Sequence, residues 1–372
     1  MTLELLAQGV IEQHRRVREG RTIGIVRLGQ GQGEAESPPI ALRQAMARLG
    51  RLYFEDGRED RAASIHELLR QCMSPLSQWA PSALYSLPGL TGSVLIDPDY
   101  RVPSEDCEAI VEEAPGTRME DLIERGLHSR LMSTVERLGS DAADTYTTIR
   151  EFIARHPLVT EGELRGLISR PEIPDTAIDF VQSIYTPIHT YHAVNGEINR
   201  CSYCLAPIGH DGRCFLQGCR EDHPTARRDR PVRQGEARVA QTEVLKYWVD
   251  PARDELRIFD NLRKAGIQAV LYPRLDQCDV AIGDDIGVDV KDYRDPASLA
   301  RKLNRGVFGL MDWDRKIVAV ADRRVRGNTD YISRLRELLF PRVSDELEVL
   351  SVRSTIRELI KMNQPSEIDD ET

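Results

Sequence analysis

The stretch CDVAIGDDIGVDVKDY, residues 278–293, decides how the last third of the chain folds. Val280, Ala281 and Ile282 form one apolar run, and Ile286, Val288 and Val290 form another. Gly283-Asp284-Asp285 between them reads as a turn, so the spacing predicts two paired strands. On a strand, residues two apart share a face, which puts Asp289 and Lys291 on the same side of the second strand. Asp279 opens the first strand and sits across the hairpin from them. Charged groups here stand where a buried face would call for apolar residues, and such exceptions usually have a functional reason.

Outward from this hairpin the elements alternate. Asp250 to Ala265 is a helix with Leu256, Ile258, Phe259 and Leu262 on its apolar face, closed by Gly266. IQAVLYPRL (267–275) follows as a strand. After the hairpin come a helix begun by Asp295-Pro296, the strand KIVAVAD, the helix NTDYISRLRELL, the strand LEVLSV and the closing helix TIRELIKM. Strands alternating with helices predict an α/β sandwich on a mixed sheet for residues 250–372.

Upstream, residues 1–145 read as a helical N-terminal region. Leu3, Leu6 and Val10, then Ile40, Leu42, Met46 and Leu49, recur at helical spacing, with a short strand at Thr22 to Leu28 and a short strand pair around Ser86 to Tyr100. Residues 146–200 give three helices, the second opened by a Thr160/Glu163 capping box, and a hairpin at Asn195-Gly196. That order suits a winged-helix-like module able to touch DNA; a packing module joining two domains is the plainer reading. Residues 224–249 read as a basic linker. From 225 to 240 five Arg stand against Asp229 and Glu236, and this run either lies along a phosphate backbone or is simply solvated.

Between these lies a cysteine cluster at 201–223. Cys201, Cys204, Cys214 and Cys219 are spaced C-x2-C-x9-C-x4-C. A C-x2-C turn aims two thiolates at one ion, and a second pair closes a tetrahedron, so the expectation is a structural Zn²⁺ knuckle with no open position. His210 and His223 are alternative ligands. Cys72, Cys107 and Cys278 are isolated and read as core residues.

Bulk composition sets the frame. A chain of 372 residues, 41% hydrophobic and 30% charged, is an α+β multidomain protein rather than a disordered or membrane one. No run approaches the ~20 apolar residues of a membrane span, and the acid-containing first helix is not an export signal, so a cytoplasmic location is expected. A net charge of −10 argues against a surface coated by nucleic acid, though not against a local basic groove.

Two carboxylates brought together by a hairpin repel unless a cation sits between them. Mg²⁺ (or Mn²⁺), which prefers oxygen ligands, suits Asp279, Asp289 and the carbonyl of Val290. Lys291 would hold the attacking water and stabilise charge on phosphorus. An Asp-x-Lys triplet alone is expected about once by chance in such a chain, so the weight rests on Asp279 and on the sheet context. An exposed salt bridge on an edge strand is the structural alternative.

The D-x9-D-V-K arrangement of Asp279, Asp289 and Lys291, behind a helix carrying Glu255 ahead of Gly266, resembles the PD-(D/E)xK restriction-endonuclease-like superfamily. Cys278 stands where the superfamily name has proline. The resemblance implies that Glu255 completes the metal site, with Glu243 or Asp254 as substitutes. A cysteine knuckle ahead of a small nuclease domain is similar to the restriction-endonuclease-like proteins of the pPIWI-RE defence islands. This implies a role against invading DNA beside a PIWI-like protein and a helicase, and nucleases of this type often act as homodimers. A non-catalytic nucleic-acid scaffold and a zinc-containing transcription regulator are the rival readings.

Overall fold

The computed structural model describes residues 2–18, 38–86, 90–113, 123–306 and 308–363, and the strand expected at Thr22–Leu28 lies outside them. The chain forms two compact units, Met1–Leu122 and Ile123–Thr372. An N-terminal region ending at 145 would be cut inside the helix Ala142–Arg155, which belongs to the second unit.

The first unit is helical. Its helices Thr2–Arg18 and Ile40–Glu55 cross closely at Gly9, where a Cβ would stand 2.6 Å from the Leu42 nitrogen. Leu6, Leu42, Leu49, Tyr53 and Trp79 are fully buried in its core, and the Tyr53 hydroxyl donates to the Trp79 carbonyl at 2.8 Å. Of the residues around Ser86 to Tyr100, expected to form a strand pair, the described ones make one bridge, between Ile96 and Pro103, and 87–89 lie outside the described residues. Asp97 explains this: its carboxylate accepts from the Asp99 and Tyr100 amides at 2.9 Å, making a turn instead.

The second unit begins with helices Ile123–Val135 and Ala142–Arg155, then β1 (Leu158–Thr160), helices Glu161–Ile168 and Asp175–Ile184, and β2 (Tyr185–Pro187). The Thr160/Glu163 capping box is present in full. β3 (Glu197–Ile198) pairs with β4 (Val232–Arg233), and β5 (Ala237–Ala240) lies antiparallel between β1 and β2. Asn195 and Gly196 both have positive φ, as a two-residue hairpin turn requires. Residues 224–249 are therefore not a loose linker. Val232, Ala237 and Ala240 are buried strand residues, and Leu245, Tyr247, Trp248 and Val249 are buried after them. The many arginines of the stretch hide that apolar pattern.

The rest is α+β. β6 (Ala269–Leu271), β7 (Val280–Ile282), β8 (Ile286–Lys291), β9 (Arg315–Val320) and β10 (Leu347–Ser351) form one sheet in the order β10-β9-β8-β7-β6. Two pairs are parallel and two antiparallel, so the sheet is mixed. Helices Pro296–Arg305 and Tyr331–Leu338 supply Leu299, Leu303 and Leu335 to a core shared with Val318, Val320 and Val349. Helix Ala252–Lys264 buries Ile258 and Leu262. The strand expected over 267–275 stops at Leu271, because Tyr272 turns into the left-handed region and Pro273 follows. No helix among the described residues is long and apolar enough to cross a membrane.

Candidate active site

Strand pairing alone brings the charged hairpin residues together. Asp279 directly precedes β7; its amide donates to the Val288 carbonyl at 3.0 Å, which fixes it opposite β8. Its carboxylate accepts from the Val290 amide at 2.5 Å. On β8 the Lys291 ammonium reaches the Asp289 carboxylate at 2.8 Å, both side chains only about a fifth exposed. Their face is closed further along the strand by Trp313, since a Cβ on Gly287 would come within 2.9 Å of that indole.

The helix Ala252–Lys264 separates its two neighbouring acids. Asp254 pairs with Arg323 at 2.7 Å, a guanidinium that also holds Asp292. Glu255 accepts from the Tyr272 hydroxyl at 2.7 Å and is 3% exposed. Its charge is felt at Asp279, and that of Lys291 at Glu255.

Electrostatics follow from burial and crowding. Burial pushes the Glu255 carboxyl up to about 7, against the pull of Arg150. Burial, with Glu255 and Asp289 adding repulsion, also holds the Asp279 carboxyl well above the usual carboxylate range. For Lys291, burial disfavours the ammonium, but Asp289 and Asp279 outweigh it and hold the amine above its usual range. Lys302, stacked on Tyr293 at 5.4 Å, opposes that charge.

Three participants escaped the sequence reading. Arg150, fully buried, stacks on the rings of Trp248 and Tyr272, 4.7 Å from each, and donates to the Trp248 carbonyl at 2.8 Å. Its guanidinium lies 4.0 Å from Glu255 and 3.9 Å from Asp276. Asp276 in turn accepts from the Tyr146 hydroxyl at 2.7 Å. It is carried there by an unusual turn in which Tyr272, Arg274, Leu275 and Asp276 all have positive φ without a glycine. Left-handed backbone costs roughly 1–2 kcal/mol per such residue, and strain of this kind gathers at functional sites. Arg274 helps to hold the turn, pairing with Asp284 at 2.5 Å and stacking on Trp313. The one available signal was the Tyr-Pro interruption of an apolar run; Arg150 and Tyr146 are too distant in sequence to be paired by spacing.

Residues 252–363 match the family model for the REase associating with pPIWI_RE, and residues 23–160 match that for pPIWI_RE three-gene island domain Y. Both matches make the chain similar to the restriction-endonuclease-like proteins of the pPIWI_RE island. Neither a curated protein nor a solved structure matches it. The hairpin and Glu255 lie inside the REase match, whereas Tyr146 and Arg150 lie inside the domain Y match, so both matched regions line one cluster.

Between the two matches lie the four cysteines. The sulfurs of Cys201, Cys204, Cys214 and Cys219 all fall within 4.8 Å of one another, so they can hold a metal ion. Cys201 and Cys219 are 3.7 Å apart, Cys204 and Cys214 3.3 Å, and none is in a disulfide. A zinc tetrahedron with bonds of about 2.3 Å has edges of roughly 3.8 Å, so the donor set fits that ion. Among the described residues this is the group of His, Cys, Asp and Glu ligands that closes to such distances; the hairpin carboxylates, each held by its own donor, do not. His210 bonds the Tyr191 hydroxyl and His223 stacks on Tyr203, so neither joins the four thiols. The knuckle is docked on the REase region: Asp250 accepts from the buried Gly218 amide at 2.8 Å, and Asp222 pairs with Arg253 at 2.9 Å.

Proposed function

We propose that this chain is a divalent-metal-dependent endonuclease that hydrolyses nucleic-acid phosphodiesters, DNA first, and that it works with a PIWI-like partner in defence. The observation that carries the reading is the Asp289–Lys291 pair at 2.8 Å, on the strand whose Val290 amide holds Asp279. Three acids and a backbone carbonyl are oxygen donors, the class Mg²⁺ and Mn²⁺ prefer, and binding would draw each acid from the donor that now holds it: the Val290 amide, Lys291 or Tyr272. Asp279, Asp289, Glu255 and the Val290 carbonyl would hold the ion, which supplies charge neutralisation at phosphorus and a more acidic water when bound. Lys291, kept as an ammonium by Asp289, is placed to donate to the attacking water and to the developing phosphorane charge. Glu255 is held in place by Tyr272 and Arg150. The REase family match supports the reaction class, and the island match supports the partner. A structural Zn²⁺ in the cysteine knuckle belongs to the same reading.

The test is incubation with end-labelled single-stranded, duplex and hybrid substrates in magnesium or manganese. Cleavage is expected, and Asp289→Ala or Lys291→Ala should lower it by at least about 100-fold with the fold intact. Parental rates in both variants would refute the assignment, and no uptake of Mg²⁺ or Mn²⁺ at the carboxylates in isothermal titration would favour the scaffold.

A further inference from the structure

The order of elements in residues 142–240 has a meaning that the REase match leaves untouched. Helix, β1, two helices, β2, a long excursion and β5, with β5 between β1 and β2, is the layout of a winged helix. In DNA-binding relatives of the helix-turn-helix, the later helix enters the groove. Here that helix is Asp175–Ile184, and its exposed residues are Asp175, Thr176, Asp179 and Gln182. It has no Lys or Arg, and two carboxylates on the outer face repel phosphate.

The excursion is different. Residues 197–202 and 227–233 run antiparallel as a ribbon: Glu197 is opposite Arg233, Ile198 opposite Val232, and Cys201 bridges Arg228. The Ser202 amide donates to the Arg227 carbonyl at 2.8 Å. The four-cysteine knuckle is the tip of this ribbon, so the arginine run is fastened to it. Arg213, Arg227, Arg228 and Arg230 are exposed and enter no ion pair with the described residues. Arg227 lies over the ring of Tyr203 at 6.0 Å, and Tyr203, 40% exposed, stacks on His223 at 3.7 Å. In a chain of net charge −10, exposed uncompensated arginines beside a stacked aromatic pair form a local surface of opposite sign.

We infer that the ribbon and its knuckle, rather than the helix Asp175–Ile184, are the surface that holds the phosphate backbone of the nucleic-acid duplex, with Arg227, Arg228 and Arg230 as the contacts and Arg213 at the tip. The inference rests on the endonuclease reading for its substrate class. The Asp250–Gly218 and Arg253–Asp222 contacts then fix the bound backbone relative to the helix that carries Glu255.

The test is fluorescence anisotropy of labelled duplex DNA with the full chain, zinc-loaded and without added magnesium, over a salt series. Arg227→Ala/Arg228→Ala/Arg230→Ala should weaken binding at least about tenfold near 0.1 M salt and make the log–log salt slope shallower by about three. Gln182→Glu, on the acidic helix, should leave binding unchanged. Parental affinity and slope in the triple variant would overturn the inference. So would a larger effect from Gln182→Glu, or polyglutamate competing as well as DNA at equal charge. If circular dichroism shows the triple variant misfolded, the exposed single change Arg230→Gln should make the slope shallower by about one. A chain that binds duplex through these arginines and never cuts it would sink the endonuclease reading alone.

Discussion

Arg150 and Glu255 face each other at 4.0 Å, both buried, although one comes from the domain Y match and the other from the REase match. The two matched regions share a charge cluster, so the REase region of this chain cannot be lifted out at residue 252 without exposing one side of Glu255.

Removing Arg150 should be severe. Breaking a buried charge pair by deleting one partner costs about 3–5 kcal/mol, so Arg150→Ala should lose stability on that scale in urea melts. Arg150→Lys should recover little, because an ammonium cannot stack flat between Trp248 and Tyr272. A loss under about 1 kcal/mol for the alanine variant would show that the pair contributes nothing net.

Glu255 gives the chain a pH dependence of unusual sign. Its carboxyl is raised from 4.5 to about 7 on folding. Between those values the folded chain keeps a proton that the unfolded chain has released, so stability falls as pH climbs through the window and levels off above it. The full effect is roughly 3 kcal/mol. Without added magnesium, Glu255→Gln should flatten that decline; an equally steep profile in the variant would remove Glu255 as its source.

The cysteine knuckle should carry one zinc per chain by elemental analysis. Cys204→Ser should lose it, and amide exchange should accelerate across residues 195–225. Purified parent protein devoid of metal would contradict this.

Gly287 has no room for a side chain beneath Trp313. Gly287→Ala should therefore cost about 1–3 kcal/mol through overpacking, visible as a lower Tm. An unchanged Tm would mean that Trp313 moves aside easily.

The mixed sheet was legible because each strand carries a compact apolar run bounded by Gly, Pro or Asp, and Asp289 and Lys291 because the period of two is strict. The cysteines were legible from spacing alone. What stayed hidden depended on contacts across long stretches of sequence or on backbone shape. Arg150 is one of two arginines on an amphipathic helix, and only the fold sets it against Glu255. The left-handed turn that delivers Asp276 contains none of the glycines that usually announce one. The strands in 224–249 were obscured because alternation of Val232, Ala237 and Ala240 is sparse among charged neighbours. The direction of the helix acids was also unreadable: Asp254 and Glu255 are adjacent, and only Arg323 and Tyr272 decide which way each is aimed.

Pro187 and Arg238 are register partners on adjacent strands, one where the long excursion leaves the small sheet and the other where it has returned. The whole intervening arm is thus an insertion into a closed scaffold, pinned at its far end by the Gly218–Asp250 and Asp222–Arg253 contacts. A short reverse turn in its place would leave the three-stranded sheet connected but strip Asp250 and Arg253 of these partners, so the shortened protein tests whether the proposed grip of the arm and the proposed cutting at the hairpin are separable.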